Sequence, residues 1–151
     1  MGITYQEEKL IGFLPEFNAL LKEHMAEINV LYRDGDELNP DYARYIRMQQ
    51  LNLYALITCR KDGKLIGYAG FFVHPNIRFP KCMTAYEDLY YIKPENRQGR
   101  VGYKLFTESE RLLNQRNVNR IDIGCKTFQD HSRLFEHLGY EFYEKHFTKK
   151  L

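Results

Sequence analysis

A chain of 151 residues is long enough for one domain, spanning 1–151, with a core of its own, and no stretch of it reads as a linker. Its 22 Lys and Arg against 20 Asp and Glu leave a formal charge of +2, too near balance to point to nucleic acid or an acidic membrane, so any basic site must be local. Hydrophobic residues make up 44% of the chain, yet its apolar runs stop well short of a bilayer span.

The first residues, Met1 to Lys9, are polar and carry Glu7 and Glu8, which fits no secretory signal and predicts a cytoplasmic protein. A short opening strand is expected near Ile3 to Tyr5. Phe17, Leu20, Leu21, His24, Ile28 and Leu31 recur at helical spacing and predict an amphipathic helix from Pro15 to Val30. After the turn residues Arg33-Asp34-Gly35-Asp36, the segment Asn39-Pro40-Asp41 reads as an N-cap with proline at the first helical position, followed by a short helix through Tyr42, Tyr45, Ile46 and Met48.

Leu53 to Cys59 and Leu65 to Val73 flank Lys61-Asp62-Gly63-Lys64, and Asp-Gly favours the turn that matches strand twist, so a β-hairpin is expected. A strand over Thr84 to Ile92 follows. The next helix has Val101, Leu105, Phe106, Leu112 and Leu113 on one side and Lys104, Glu108, Glu110 and Arg111 on the other. Alternation of Ile121, Ile123 and Cys125 with Asp122 and Gly124 predicts a strand. A helix over Asp130 to Leu138 should stop at Gly139, and a last strand is expected over Tyr140 to Thr148. The fold class is α/β (α+β), a mixed sheet flanked by helices. Cys59, Cys82 and Cys125 are odd in number and far apart, which suggests buried thiols and no disulfide or zinc cluster.

The segment Pro94-Glu95-Asn96-Arg97-Gln98-Gly99-Arg100-Val101-Gly102-Tyr103 joins an apolar strand to a helix. Unpaired N–H groups and the positive end of the helix dipole meet there, so an anion is favoured and a pyrophosphate is a natural candidate. Arg97 and Arg100 add charge-assisted donors, their alternative reading being solvated surface charges, and Gly99 and Gly102 permit close approach of the backbone.

This element order, with a strand ending Tyr90-Tyr91-Ile92-Lys93-Pro94 and an Arg-x-x-x-x-Gly loop, resembles the GNAT superfamily of N-acetyltransferases over nearly the whole chain. The hallmark of that family is a Gln/Arg-x-x-Gly-x-Gly/Ala loop, of which Arg97 and Gly102 match the first and last positions while Arg100 replaces the middle glycine. The likeness is nearer still to compact acetyltransferases encoded by bacteriophages and prophages, whose loop commonly reads Arg-x-Gly-Arg-x-Gly. It extends to Glu23-His24, Leu38-Asn39-Pro40, Gly67-Tyr68, Phe71-Phe72-Val73-His74-Pro75, Leu138-Gly139-Tyr140 and the ending Thr148-Lys149-Lys150-Leu151.

The resemblance implies a mixed, mostly antiparallel sheet with helices on both faces, and an acetyl-coenzyme A-dependent N-acetyltransferase in which a primary amine attacks the thioester directly. Acetyl-coenzyme A is then the acyl donor and no metal is expected. By the same matching, Tyr90, Tyr91 and Ile92 present backbone to the pantetheine, and Arg97, Gln98, Gly99, Arg100, Val101, Gly102 and Tyr103 hold the pyrophosphate. Asp88 falls on the position of the family base and Glu87 is its neighbour, the two exchanging roles if the strand is bulged. An acid in an apolar strand is costly unless solvated or paired, and Asp88 reads as base, as counter-ion to the amine, or as a structural hydrogen-bonding group. Many relatives protonate the leaving thiolate with a helix tyrosine where this chain has Phe135, leaving Tyr143, His131 or water as substitutes.

Asp130 and Ser132 are candidates for coenzyme contacts, with helix capping the plainer reading of Asp130. His24 reads as a buried, hydrogen-bonded histidine or an acceptor-site residue, and His74 as a substrate contact or a turn residue. Tyr42, Tyr45, Tyr86 and Tyr90 either line an acceptor pocket or pack. The acceptor itself is open among small amines, nucleosides, antibiotics and protein lysines. A noncatalytic interaction protein on a coenzyme A-binding fold is the alternative, and a nucleotide-binding regulator is disfavoured because no Gly-Lys-Ser/Thr follows the loop. An edge strand near the C-terminus leaves a homodimer open, and no membrane partner is expected.

Overall fold

A computed structural model of the protein describes residues 2–28 and 36–151. The strands are β1 (Ile3–Glu7), β2 (Tyr54–Lys61), β3 (Lys64–Pro75), β4 (Met83–Ile92) and β5 (Arg120–Asp122), and the helices are α1 (Leu14–Ile28), α2 (Tyr42–Gln50), α3 (Val101–Gln115) and α4 (Ser132–His137). The five strands lie in the order β1-β2-β3-β4-β5, every pair antiparallel except β4 with β5. Such mixing follows from the connections: a tight turn joins β2 to β3, whereas α3 carries the chain from β4 to a parallel β5.

The two faces of the sheet are covered differently. Phe17, Leu20 and Leu21 of α1 pack with Leu56, Tyr68, Leu89 and Tyr91 on one face, joined by Tyr42, Tyr45 and Ile46 of α2. On the other face Leu105 and Leu113 of α3 meet Ala55, Ile57, Ala69, Phe71 and Ala85. The α1 stripe is as its periodicity predicts through Ile28, while Leu31, the expected end at Val30 and the turn residues Arg33, Asp34 and Gly35 lie outside the described residues. The hairpin turn is formed by Asp62 and Gly63 with φ of 50° and 78°, the doubly left-handed geometry that Asp-Gly suits.

Three expectations are corrected. Helix α2 is capped by Asp41, whose carboxylate accepts from the Arg44 N–H at 3.0 Å, and not by Asn39 with Pro40 as the first helical residue. The β5 ladder ends where Asp122 pairs with Tyr86, just before the irregularity in β4 at Asp88, so Ile123 and Cys125 are not in a strand. Residues 140–148 form no strand. Beside them β5 offers only three residues, the Arg120 guanidinium lying 5.0 Å from the Tyr143 ring, and Phe142 and Phe147 are 77% and 91% exposed. Gly139, with φ of 91°, ends α4 as expected. No helix among the described residues is long and apolar enough to cross a membrane.

Candidate active site

The register of β4 on β3 contains the feature that organises the site. Gly70 pairs with Leu89 and Phe71 with Glu87, so Asp88 is an extra residue without a partner, a β-bulge. Bulging breaks the alternation of side chains, and both Glu87 and Asp88 reach one cavity of about 650 Å³ between α1, residues 36–41, β4 and residues 124–129.

Asp88 is held from two directions. The hydroxyls of Tyr45 on α2 and Tyr54 on β2 each donate to its Oδ2 at 2.8 Å. Burial raises the Asp88 pKa, and the two phenolic bonds, which favour the carboxylate, offset part of that rise. Tyr54 reaches Asp88 by crossing the β3 backbone at Gly70, where a Cβ would collide with the Tyr54 hydroxyl. Glu87 meets the cavity wall formed by residues 124–129. Its Oε2 accepts the Gly124 N–H at 3.3 Å, and burial raises its pKa as well.

The cavity also receives Asp36, Glu37 and Asp41 on the α2 side and Lys22 and Lys126 elsewhere on its wall. His24 lines it from α1 and is buried, its Nδ1 2.9 Å from the Tyr68 hydroxyl and its ring stacked at 4.7 Å on Tyr91. Burial lowers its pKa to about 4, so it is a neutral histidine at neutral pH. Cys125 is half-buried on the same wall, unlike the fully buried Cys59.

At the far end of β4, Pro94–Asn96 forms a 3₁₀ turn, Gly99 takes φ of 67°, and α3 begins at Val101. Arg100 occupies the N-cap position without a side-chain cap bond, so the first N–H groups of α3, those of Val101, Gly102 and Tyr103, face outward from an exposed loop. Arg97 is turned back beneath the loop: its Nε donates to the Ile92 carbonyl at 2.8 Å, its Nη2 pairs with Glu27 of α1 at 2.6 Å, and it lies 5.3 Å over the Tyr91 ring. Glu27 is correspondingly lowered in pKa by that hydrogen bond. Arg100 stacks at 4.5 Å on Tyr103. On the side away from β3, the backbone of β4 beyond Tyr86, including Tyr90, Tyr91 and Ile92, has no strand beside it among the described residues.

Asp130 caps α4 from just outside it, accepting the Ser132 N–H at 2.9 Å and also its hydroxyl. His74 stands apart from this group. It is exposed, stacks at 4.9 Å on Tyr86, and lies opposite Thr84 at the start of β4, outside the cavity. Tyr54, Gly70, Glu27 and Gly124 are the residues that sequence reading passed over. A glycine inside an apolar strand was the one available signal, since it marks a close approach.

A family model described as Acetyltransferase (GNAT) family matches residues 17–140. Comparison with curated proteins gave no match. Among solved structures, the chain is similar to an aminoglycoside acetyltransferase from an uncultured soil metagenomic sample (TM-score 0.76, 16% identity, covering 99% of this chain and 96% of that one). It is similar also to a ribosomal-protein-alanine N-acetyltransferase from Brucella melitensis biovar Abortus (TM-score 0.77, 16% identity, 100% and 99% covered). A predicted acetyltransferase from Clostridium acetobutylicum, solved with acetyl-CoA, aligns with a TM-score of 0.69 at 12% identity over 99% of this chain and 96% of its own.

Proposed function

The chain belongs to the GNAT acetyltransferase family, and from that premise we propose that it transfers an acetyl group from acetyl-coenzyme A to a primary amine on a small, positively charged acceptor. The observation that carries this reading is the bulge at Asp88, which sets a carboxylate with two fixed donors into the wall of an acid-rich cavity. The cavity and the helix-terminal loop lie along one strand, as a donor site and an acceptor site must.

In this reading the N–H groups of Val101, Gly102 and Tyr103 take the diphosphate at the positive end of α3, where the loop leaves them uncapped. Arg97 works from behind, bracing the loop against Ile92 and Glu27, so most of the recognition comes from backbone. The strand edge at Tyr90 to Ile92 supplies main-chain partners for pantetheine amides. Asp88 accepts the proton that the attacking ammonium must lose, and its raised pKa brings it nearer the working pH than an exposed aspartate. Glu37 attracts a cationic acceptor to the cavity, together with Asp36, which is paired with Lys150 at 3.5 Å, and Asp41, which also caps α2.

Calorimetric titration with acetyl-coenzyme A, followed by thiol-release assays over diamines, aminoglycosides and lysine peptides, tests the proposal. Binding with release on at least one cationic amine is expected. Absence of binding at millimolar coenzyme removes the donor assignment, and binding without release on any amine favours a noncatalytic coenzyme-binding protein.

A further inference from the structure

Acetyl transfer has a second proton to manage, since the sulfur that leaves must be stabilised and protonated as the amine is deprotonated. We infer that Tyr90 is the proton donor to that sulfur and that His131 positions and recharges it. This rests on the acetyl-transfer reading above.

Tyr90 lies two residues beyond Asp88, on the free backbone edge of β4, and lines the same cavity. Its side chain spans the gap that opens where the β4–β5 ladder stops. The hydroxyl donates to the Gly124 carbonyl at 2.9 Å and lies 3.1 Å from His131 Nδ1. A phenol has one proton; with that proton on Gly124, the histidine contact requires Nδ1–H as donor, which fixes the tautomer and orders a chain from His131 to Tyr90 to the cavity.

The ring cannot wander. Phe106 and Phe135 meet it edge-on at 5.3 and 5.9 Å, at interplanar angles of 77° and 87°. Phe135, on the same wedge, has no proton to give. Glu87 and Cys125 face the phenol, while Arg97, Asp130 and Glu27 act on His131. Burial, the largest influence on each, keeps the phenol protonated and favours neutral imidazole. His131 is half-buried and lies just before α4.

The ammonium loses its first proton to Asp88, which passes it to solvent; the amine nitrogen then forms the N–C bond and gives its second proton to Asp88. The C–S bond breaks with its electron pair going to sulfur. The Tyr90 O–H turns from the Gly124 carbonyl and protonates the sulfur, Nδ1–H of His131 returns a proton to the phenolate oxygen as its Nε2 takes one from solvent, and exchange with solvent restores the Nδ1–H tautomer.

The test needs no acceptor. Free coenzyme A is bound to the wild-type protein and to Tyr90→Phe, which keeps the packed ring, and the thiol is titrated through its thiolate ultraviolet absorbance. A donated hydrogen bond to the thiolate should make the bound thiol roughly tenfold more acidic in wild type than in Tyr90→Phe, the size of a bond to a charged acceptor. Equal titration in the two proteins overturns the inference, whereas failure of coenzyme A to bind either one counts against the proposed function instead. With any amine that turns over, fluorinated tyrosines at position 90 should change kcat in step with phenol acidity at constant KM for acetyl-coenzyme A. His131→Gln should lower kcat while the bound thiol titrates as in wild type, and an unchanged kcat removes His131 from the pair.

Discussion

Asp88 and Glu87 are adjacent on one strand and live in different surroundings. Asp88 is held by two hydroxyls at 2.8 Å, brought by α2 and β2, whereas Glu87 has one backbone donor at 3.3 Å across a gap between strands. Both are raised in pKa by burial, so the difference lies in preorganisation. An inserted residue gives both side chains the cavity, and the neighbours then decide which one is fixed. A fixed carboxylate suits repeated proton abstraction, and a loosely held one suits a place that must open for a ligand.

Neutralising each acid in turn separates their roles. Asp88→Asn should lower kcat by roughly 10²- to 10³-fold, within the range of general-base catalysis, with acetyl-coenzyme A affinity by calorimetry nearly unchanged. Glu87→Gln should cost less than about tenfold on the same scale, and the reverse order would transfer the base assignment to Glu87.

Next in size is Gly70→Ala, which drives a Cβ into the Tyr54 hydroxyl. We expect it to cost about 1–3 kcal/mol in urea denaturation as an overpacked core position, and to lower kcat by displacing Asp88. Tyr54→Phe in the same chain should recover part of the stability but not the activity, a non-additivity that a double-mutant cycle reads directly.

A pH comparison sharpens the contrast further. Because the folded protein holds the Glu87 proton more tightly than the unfolded chain does, its contribution to stability is full below the ordinary glutamate pKa and is lost as pH rises through the raised one. Glu87→Gln removes that loss, so its melting temperature relative to wild type should increase from mild acid to neutral pH. A difference that stays flat or shrinks contradicts the burial argument. Smallest of all, Glu27→Gln should destabilise by less than about 1 kcal/mol, since its pair with Arg97 is partly exposed, and should leave acetyl-coenzyme A affinity nearly intact if backbone carries the diphosphate.

How much of this was legible before the structure depends on how local each feature is. The Asp62-Gly63 turn and the α3 stripe are set within a few residues, and both appear where expected. The strand-loop-helix order around residues 94–103 is similar, since strand, glycine and helix start are contiguous. The Tyr54 to Asp88 bond joins residues 34 apart and exists only because two strand registers and a bulge coincide, which no local pattern encodes. Arg97 is a parallel case: its charge beside the loop is plain, but its engagement with Glu27, 70 residues earlier, depends on how α1 lies over the sheet. The strand expected over residues 140–148 failed for a related reason, since β propensity needs a neighbouring ladder and β5 has only three residues.

Gln49 bears on how such a site can change over time. It is 3% exposed, accepts the Leu10 N–H at 2.8 Å and donates to the Glu8 carbonyl at 2.9 Å, so it ties the helix that carries Tyr45 to main chain alone. Because backbone looks the same whatever side chain it bears, positions 8 to 10 can drift without loosening that tie, while Gln49 cannot. The α2 wall of the cavity thereby keeps a fixed tie through Gln49, beside the bond that the Tyr42 hydroxyl donates to Asn18 Oδ1 at 2.6 Å, and the other positions of α2 can change while Tyr45 keeps its place over Asp88.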